Sequence, residues 1–233
     1  MKHVVGLSGG KDSTALALRL AEIEPRDYEY ICNETGNELP EMQDHWKKLE
    51  DLLGKPIVRV RHTKDLEGAI RQMNMLPSVF ARWCTRVLKI QPTIAYMEDL
   101  PPGSVLYVGL RADEEERKGL FGEDIAIRFP MREWGWKEAD VWAYLGKRGV
   151  CIPARTDCAW CPYQRLGEWR DLYENYPDLW AQGVALEKEM GATFRSPGRD
   201  TWPADLEALG REFASGRPLR AFKRNQTCRV CSL

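Results

Sequence analysis

The sequence predicts an α/β protein, with a parallel sheet that carries helices on both faces and a smaller C-terminal helical lobe stapled by cysteines. Short apolar runs alternate with segments of strong helix formers along the first part of the chain, a pattern that builds a parallel sheet. After about residue 137 the strand-like runs give way to helical segments and a loop rich in cysteine and proline. We therefore place a soft domain boundary near residue 150, between a domain of residues 1–150 and a lobe of residues 151–233.

Each element follows from its local pattern. Buried parallel strands are expected where apolar residues run together between turn residues, at 4–7, 28–32, 57–60 and 105–110. Helices are expected at 14–21, 41–53, 65–73, 90–98, 137–146, 166–173 and 177–190. Gly54 stands where a glycine commonly ends a helix.

Composition excludes some classes of protein. The chain of 233 residues is 43% hydrophobic and 30% charged, which is typical of a globular protein and not of a disordered one. The net charge of -1 does not by itself indicate a polyanionic partner. Residues 211–233, however, carry six basic side chains and one acidic side chain, and this basic tail weakly favours a nucleic acid.

The chain carries no targeting signal that we recognise. No apolar run approaches the roughly 20 residues that span a bilayer, and the sequence enters a strand-like run without the apolar region of a signal peptide. We expect a cytoplasmic protein with no membrane partner. In a reducing compartment, metal binding or thiol chemistry is the default use for cysteine.

The loop Ser-Gly-Gly-Lys-Asp-Ser, residues 8–13, joins the first strand to the first helix. Gly9 and Gly10 allow the backbone to approach phosphate oxygens, and the helix start favours an anion. Lys11 adds a positive charge, and Asp12 suits Mg²⁺. Two further side chains, Ser8 and Ser13, supply hydroxyl donors. A tight turn without function is the alternative, but it does not explain the lysine and aspartate. The spacing is not that of the mononucleotide loop.

This loop resembles the PP-loop of the adenine nucleotide α-hydrolase-like superfamily, which includes N-type ATP pyrophosphatases and phosphoadenosine phosphosulfate (PAPS) reductases. The resemblance implies the α/β fold of that superfamily, the HUP type. Four segments are similar to the PAPS-reductase-like branch: Glu-Thr-Gly-Asn-Glu-Leu-Pro-Glu at 34–41, Arg-Trp-Cys-Thr-Arg-Val-Leu-Lys-Ile-Gln-Pro at 82–92, Gly-Leu-Arg-Ala-Asp-Glu-Glu-Glu-Arg at 109–117, and a Trp…Asp-Val-Trp stretch within 132–144. The resemblance covers about residues 3–165.

The lysine and aspartate of the loop separate two activities within this branch. PAPS reductases that act on sulfonucleotides typically have an altered PP-loop without this pair, because their nucleotide has no β,γ-pyrophosphate. Lys11 and Asp12 are both present here. The resemblance therefore implies that ATP, with Mg²⁺, is cleaved to AMP and pyrophosphate.

Basic residues are candidates for a second cationic surface over the phosphates. Arg82, Arg86 and Lys89 are three to four residues apart, which places them near one face of a helix. Arg111 follows a predicted parallel strand at its carboxyl end, where ligands bind in such sheets. With Arg117 these residues could contact the nucleotide. The alternative is a solvated charged face.

Other polar residues are weaker candidates. Glu34 also follows a strand and could position ribose or magnesium. The acidic run 113–116 has no pattern beyond its charge, which favours a solvated surface. The histidines His3, His45 and His62 lie at predicted strand or helix edges, and we assign none of them to catalysis.

Two C-x-x-C pairs, Cys158 with Cys161 and Cys228 with Cys231, are typical of a four-cysteine site for zinc or an iron–sulfur cluster. Cys84 is a rival ligand, because cluster-bearing members of the branch combine a cysteine in this region with a later C-x-x-C pair to hold a [4Fe–4S] cluster. The alternative, that these cysteines are small buried apolar residues, fits two such pairs poorly.

Three functions remain open on the sequence. The first is an enzyme that adenylates tRNA or DNA with ATP for sulfur transfer, the sulfur coming from a cysteine desulfurase or another donor. The second is a sulfonucleotide reductase that uses Cys228 or Cys231 as nucleophile. The third is a non-enzymatic, nucleotide-sensing subunit with a structural zinc site.

Overall fold

The computed structural model of the chain describes residues 1–114 and 124–219. Its sheet has five parallel strands in the order β3-β2-β1-β4-β5. The strands are β1 (His3–Gly6), β2 (Tyr28–Asn33), β3 (Ile57–Val60), β4 (Val105–Tyr107) and β5 (Ala126–Arg128). The α/β prediction is confirmed.

Helices connect the strands and form the second half of the chain. They are α1 (Lys11–Ile23), α2 (Pro40–Leu53), α3 (Leu66–Met73), α4 (Trp83–Thr85), α5 (Gln91–Glu98), α6 (Pro130–Glu133), α7 (Glu138–Lys147), α8 (Leu166–Asn175), α9 (Pro177–Met190) and α10 (Leu206–Ala214). Gly54 ends α2 in the left-handed conformation, with φ 65°, as the sequence predicted. None of the helices in the described ranges is long and apolar enough to cross a membrane.

Alternate residues of the central strands enter two separate cores. Val5 of β1 packs in the core that contains side chains of α1, α2 and α7. Its neighbour Val4 packs in the opposite core, which contains Met97 of α5. Because successive strand side chains point to opposite faces, the sheet has helices on both of its faces.

Residues from both parts of the chain build the core of the helical lobe. Trp169 of α8 and Leu209 of α10 are fully buried there, together with Ile70 of α3 and Leu88. The lobe core therefore includes the segment that follows β3 as well as residues beyond 150.

The structure differs from the sequence prediction at several elements. The strand expected at 105–110 ends at Tyr107, and the strand β5 and the helix α10 were not predicted. The helix expected at 90–98 begins earlier, since α4 continues into a π-helical turn, Arg86–Ile90, before α5. In that turn the Gln91 N–H donates to the Arg86 carbonyl, and Pro92 has no N–H with which to continue the α-helical pattern.

Candidate functional site

The phosphate loop has a backbone shape that requires glycine. Gly9 lies in the left-handed region, with φ +88°. A Cβ at this position would come within 2.9 Å of both Met42 Cε and Trp46 Nε1. The loop therefore passes directly over α2, with no room for a side chain.

Two side chains of α2 hold the carbonyl groups of this loop. The Trp46 indole N–H donates to the Ser8 carbonyl at 3.0 Å, and His45 Nε2 lies 2.9 Å from the Gly9 carbonyl. Burial lowers the pKa of His45, so the ring is neutral and donates its one proton to that carbonyl. The sequence analysis assigned no role to His45 because its partner is distant along the chain.

The N-terminus of α1 is open to a ligand. No side chain caps it, and Gly10 in the N-cap position has extended backbone angles. The Ser8 and Ser13 hydroxyls lie 3.0 Å apart beside it, and the Ser13 hydroxyl donates to the Gly10 carbonyl at 3.1 Å. The first N–H groups of a helix have no partner within the helix, so an anion can bind here.

A charged cluster stands next to this helix start. The carboxylate of Asp12 lies 3.1 Å from Lys11 Nζ and 3.0 Å from a guanidinium nitrogen of Arg111. Glu138 lies 3.5 Å from Lys11, and Asp113 is 2.8 Å from Arg111. Sequence analysis favoured a solvated surface for the acidic run. Asp113 is exposed, as that interpretation predicts, and it also forms this ion pair with Arg111.

The guanidinium of Arg111 stays protonated and positively charged. Burial would lower the pKa of its guanidinium, but the hydrogen bond and charge of Asp12 outweigh burial and raise it. Arg111 follows β4, and Lys11 and Asp12 follow β1. A Cβ at Gly109 would lie 3.3 Å from the Asp12 backbone, so the two loops are in contact.

The cluster lies at the point where the strand order reverses. The chain continues from β1 to β2 on one side of the sheet, whereas β4 lies on the other side of β1. The crevice at the carboxyl ends of two such strands is where ligands bind in open α/β sheets. The phosphate loop and Arg111 are therefore at the binding edge of this fold.

The residues present suit a magnesium ion at Asp12. One of its carboxylate oxygens accepts from Lys11 and Arg111, while the other, Oδ1, is buried and has no hydrogen-bond partner among the described residues. A buried carboxylate oxygen without a partner costs free energy, and a cation ligand would remove that cost. Mg²⁺ takes carboxylate oxygens together with phosphate.

Glu34 follows β2 at the same edge, but neighbouring side chains already donate hydrogen bonds to both oxygens of its carboxylate. Arg61 donates to one oxygen, at 2.8 Å from Nε, and Gln43 donates to the other at 2.9 Å. A role with ribose or magnesium would require Glu34 to exchange these partners.

The loop after β2 joins the phosphate site to the cysteines. Glu38 accepts from the backbone N–H groups of Thr35 and Gly36, which fixes the loop. The Asn37 carbonyl accepts from Ala159 N at 2.7 Å, and the Thr35 hydroxyl lies 3.2 Å from Cys158 Sγ. Cys158 is therefore held against the carboxyl end of β2.

A short loop carries both a phosphate-loop contact and the first cysteine pair. The Thr156 hydroxyl would lie 3.4 Å from a Cβ at Gly10, and it makes no hydrogen bond with the described residues. Two residues later, the Cys158 carbonyl accepts from buried Arg155 at 3.2 Å and from Cys161 N at 3.1 Å. These two hydrogen bonds fix the turn that presents Cys158 and Cys161.

Three free thiols lie within electrostatic range of one lysine. The pKa of Lys89 is raised, above all by Cys158, against the opposing effect of burial, with further contributions from Glu38, Cys161 and Cys84. Burial raises the pKa of the Cys158 thiol, and it raises that of Cys161 to about 12. We name Cys84, Cys158, Cys161 and Lys89, which these charge interactions connect, the thiol group.

The donors of the thiol group suit a soft metal such as zinc or iron. Within the described ranges, however, no three His, Cys, Asp or Glu side chains are arranged to hold a metal ion. Of the remaining cysteines that the structure describes, Cys32 is a free thiol and Cys151 is disulfide-bonded. The second pair, Cys228 and Cys231, lies outside the described residues, as does Arg117.

The predicted second cationic surface is only partly assembled. Arg111 joins the phosphate site, whereas Lys89 belongs to the thiol group. Arg86 is exposed, and no ion pair involves it in the described part of the chain. No described ion pair or hydrogen bond links Arg86 or Lys89 with the residues around Asp12.

Comparisons with known proteins agree with this fold. The phosphoadenosine phosphosulfate reductase domain family matches residues 2–171. An uncharacterized protein of Methanocaldococcus jannaschii is 25% identical over 200 residues, which are 80% of this chain and 41% of that protein. The chain thus spans about two fifths of the length of this curated relative.

Two solved structures are similar in fold. A PAPS reductase from Candida auris, in complex with phosphate, has a TM-score of 0.50 at 14% identity, over 65% of this chain and 75% of that one. The U34-tRNA thiolase NcsA of Methanococcus maripaludis, with its [4Fe–4S] cluster, has a TM-score of 0.47 at 19% identity, over 100% of this chain and 79% of that one. The second likeness is too distant to support a function. From the family match over most of its length, the chain belongs to the phosphoadenosine phosphosulfate reductase domain family, within the PP-loop adenine nucleotide α-hydrolase superfamily.

Proposed function

We propose that this protein is an AMP-forming ATP pyrophosphatase that adenylates an acceptor and so prepares it for sulfur transfer. The proposal rests on the loop of residues 155–161, which touches the phosphate loop at Thr156 and carries the thiol of Cys158. Two residues of extended chain span at most about 7 Å. A nucleotide on the phosphate loop would therefore lie beside the thiol group.

The proposed reaction has two steps. An oxygen of the acceptor attacks the α-phosphorus of ATP, the bond between that phosphorus and the α,β-bridging oxygen breaks, and pyrophosphate leaves. The acceptor then carries AMP as a leaving group. A sulfur nucleophile bonds to the activated atom and AMP departs with the oxygen. Bases of tRNA or the backbone of DNA are the acceptors that we favour, with a cysteine desulfurase or another donor supplying the sulfur.

The residues of the phosphate site have distinct proposed roles. The N–H groups at the start of α1 and the Lys11 ammonium would bind the β- and γ-phosphates. Asp12 would hold Mg²⁺ through its unpartnered Oδ1. Arg111 holds the Asp12 carboxylate in place through the 3.0 Å contact. The charge on the leaving pyrophosphate is then balanced by preorganised groups.

The thiol group has the second proposed role. Cys84, Cys158 and Cys161 would hold a [4Fe–4S] cluster or a zinc ion, with Cys228 and Cys231 as alternative ligands. A cluster would supply a metal site for sulfide, whereas zinc would only hold the loop. Lys89 would balance negative charge on sulfur, and exposed Arg86 would contact the acceptor.

Sulfonucleotide reduction is the main alternative, because the family takes its name from that reaction. The charged cluster of Lys11, Asp12 and Arg111 favours a triphosphate with a metal ion instead. A nucleotide-sensing subunit with structural zinc is the non-enzymatic alternative.

One experiment separates these functions. The protein, purified without oxygen, is incubated with α-labelled ATP and Mg²⁺, with and without tRNA or DNA, and the products are separated. We expect AMP and pyrophosphate, with release stimulated by the acceptor. Lys11→Ala should abolish release without unfolding the protein, and Lys47→Ala, which removes an exposed lysine of α2, should leave it unchanged.

Other outcomes point elsewhere. ADP and phosphate would contradict cleavage at the α-phosphate. Nucleotide binding without turnover, in a colourless protein that contains zinc, would favour the sensing subunit. Reduction of a sulfonucleotide by a thiol donor would favour the reductase.

A further inference from the structure

One aromatic side chain projects far into solvent beside the thiol group. Phe80 is 91% exposed, more than any other large apolar residue that the structure describes. It stands on the connection between α3 and α4, in a turn closed by two hydrogen bonds: Ser78 N donates to the Ala81 carbonyl at 3.2 Å, and Ala81 N donates to Ser78 Oγ at 3.0 Å. The turn therefore holds the ring outward, and exposed apolar groups of this kind often mark a binding surface.

A second aromatic residue is fixed next to this turn. Tyr163 is 46% exposed, and its hydroxyl donates to the Val79 carbonyl at 2.9 Å. The guanidinium of Arg82 lies 4.8 Å from the centre of the Tyr163 ring, a cation–π contact. Phe80, Arg82 and Tyr163 thus come from two segments that are tied together, and we name them the aromatic surface.

The charge around the aromatic surface is positive. Residues 68–97 contain no aspartate or glutamate, but they contain Arg82, Arg86 and Lys89, together with Arg71, which pairs with Glu67 and Glu189 outside this range. Exposed Arg86, with no ion pair in the described part of the chain, stands one helical turn beyond Arg82. Aromatic rings interleaved with cations bind single-stranded nucleic acid, since bases stack on the rings while the cations meet phosphates.

The aromatic surface borders the thiol group on two sides. Arg82 precedes Cys84 by two residues, and Tyr163 follows Cys161 by two residues. In each case the chain between them spans at most about 7 Å. We infer that this surface binds an unpaired stretch of nucleic acid, with a base stacked on Phe80 or Tyr163. The inference deepens the proposed function, because it identifies where the acceptor would lie.

Binding of labelled oligonucleotides tests this inference directly. Fluorescence anisotropy is measured with an RNA stem-loop, the same stem-loop in DNA, and a blunt RNA duplex. We expect both stem-loops to bind more tightly than the duplex. Phe80→Ala should weaken stem-loop binding about tenfold, the usual effect of losing one stacked base. Arg86→Ala should lower the slope of log affinity against log salt by about 0.7.

A control variant guards against nonspecific effects. Leu52 is 50% exposed on α2, so Leu52→Ala removes an exposed apolar side chain elsewhere and should not change binding. Phe80 is too exposed for its loss to unfold the chain, and melting curves check this. Pyrophosphate release by the wild type is measured separately, because a wild type that binds the stem-loops without releasing pyrophosphate would contradict the proposed function and leave the binding result intact.

Several results would overturn the inference. Wild-type affinity of Phe80→Ala for the stem-loops would be one such result, and binding of the duplex as tight as that of the stem-loops would be another. Loss of self-association in Phe80→Ala, seen by sedimentation and without any effect on oligonucleotides, would instead make this surface a contact between copies. A preference for the RNA or the DNA stem-loop would support the inference and identify which nucleic acid is bound.

Discussion

The guanidinium of Arg111 lies 3.0 Å from the carboxylate of Asp12, across the boundary between strands β4 and β1. This contact leaves Oδ1 of Asp12 buried and without a hydrogen-bond partner among the described residues. We expect Asp12→Asn to raise the Mg²⁺ concentration for half-maximal pyrophosphate release by about tenfold or more, since it removes a charged ligand. A magnesium titration of the initial rate measures this shift.

Asp113 offers a matched control for that variant. It pairs with the same guanidinium at 2.8 Å, but its side chain is more exposed. Asp113→Asn should leave the magnesium dependence near the wild-type value. Equal shifts of the magnesium dependence in the two variants would mean that both carboxylates act by positioning Arg111 and not by binding a metal ion.

Thr156 should contribute to nucleotide binding through its hydroxyl. Its oxygen stands beside Gly10 and has no hydrogen-bond partner among the described residues. Thr156→Val keeps the shape and removes one hydrogen bond of about 1 kcal/mol, so the KM for ATP should rise about fivefold. Thr156→Ser should restore the wild-type KM, and metal content should not change. An unchanged KM in the valine variant would separate this loop from the phosphates.

Cys158 and Cys161 should bind a metal centre. Single changes to serine should lower bound iron or zinc, measured by elemental analysis, and reduce the Tm, because ligand bonds contribute folding free energy. Cys32→Ser is the control, since that thiol is buried in β2 beside Arg59 and should not affect metal content. Full metal content in the Cys158→Ser/Cys161→Ser double variant would remove the pair from the site.

The stability of the helical lobe should depend on the protonation of Glu187. Its carboxylate accepts from Phe194 N at 2.8 Å and Leu206 N at 2.7 Å, and burial raises its pKa from 4.5 to about 7. The folded state therefore binds this proton more tightly than the unfolded chain. The resulting stabilisation is complete below about pH 4.5 and is lost as the pH rises through about 7.

Urea unfolding followed by tryptophan fluorescence tests the role of Glu187. Between about pH 5 and pH 7 the free energy of unfolding should fall more steeply in the wild type than in Glu187→Gln. The comparison of slopes holds even if the variant is less stable overall. Parallel pH profiles would contradict the raised pKa.

Local patterns in the sequence predicted most of the fold. The strand, glycine loop and helix around residues 3–23 are adjacent in sequence, so their periodicity alone identified them. The edge strand β5 was missed because three partly exposed residues carry no pattern. The helix α10 had a usable signal, namely Asp205 as N-cap followed by Leu206, Leu209 and Phe213 on one face.

Long-range contacts explain why the site was predicted less completely. His45 reaches the Gly9 carbonyl across 36 residues, and no spacing rule connects the two. The same holds for Lys89 and Cys158, which the sequence analysis assigned to different sites and the structure places in one group. The pairing of Asp113 with Arg111 was not predicted, because the acidic run around Asp113 has no pattern beyond its charge.

The parallel pairing of β1 with β4 has a consequence for how the protein is made. His3 pairs with Val105, so this pairing must wait until about a hundred residues have been synthesised and their loop has closed, a slow step for a non-local contact. The first three strands can pair earlier, on the ribosome, but Arg111 reaches Asp12 only after β4 docks. The nascent chain therefore acquires its proposed nucleotide site late, and truncated chains that end before β4 should fold in part without binding ATP.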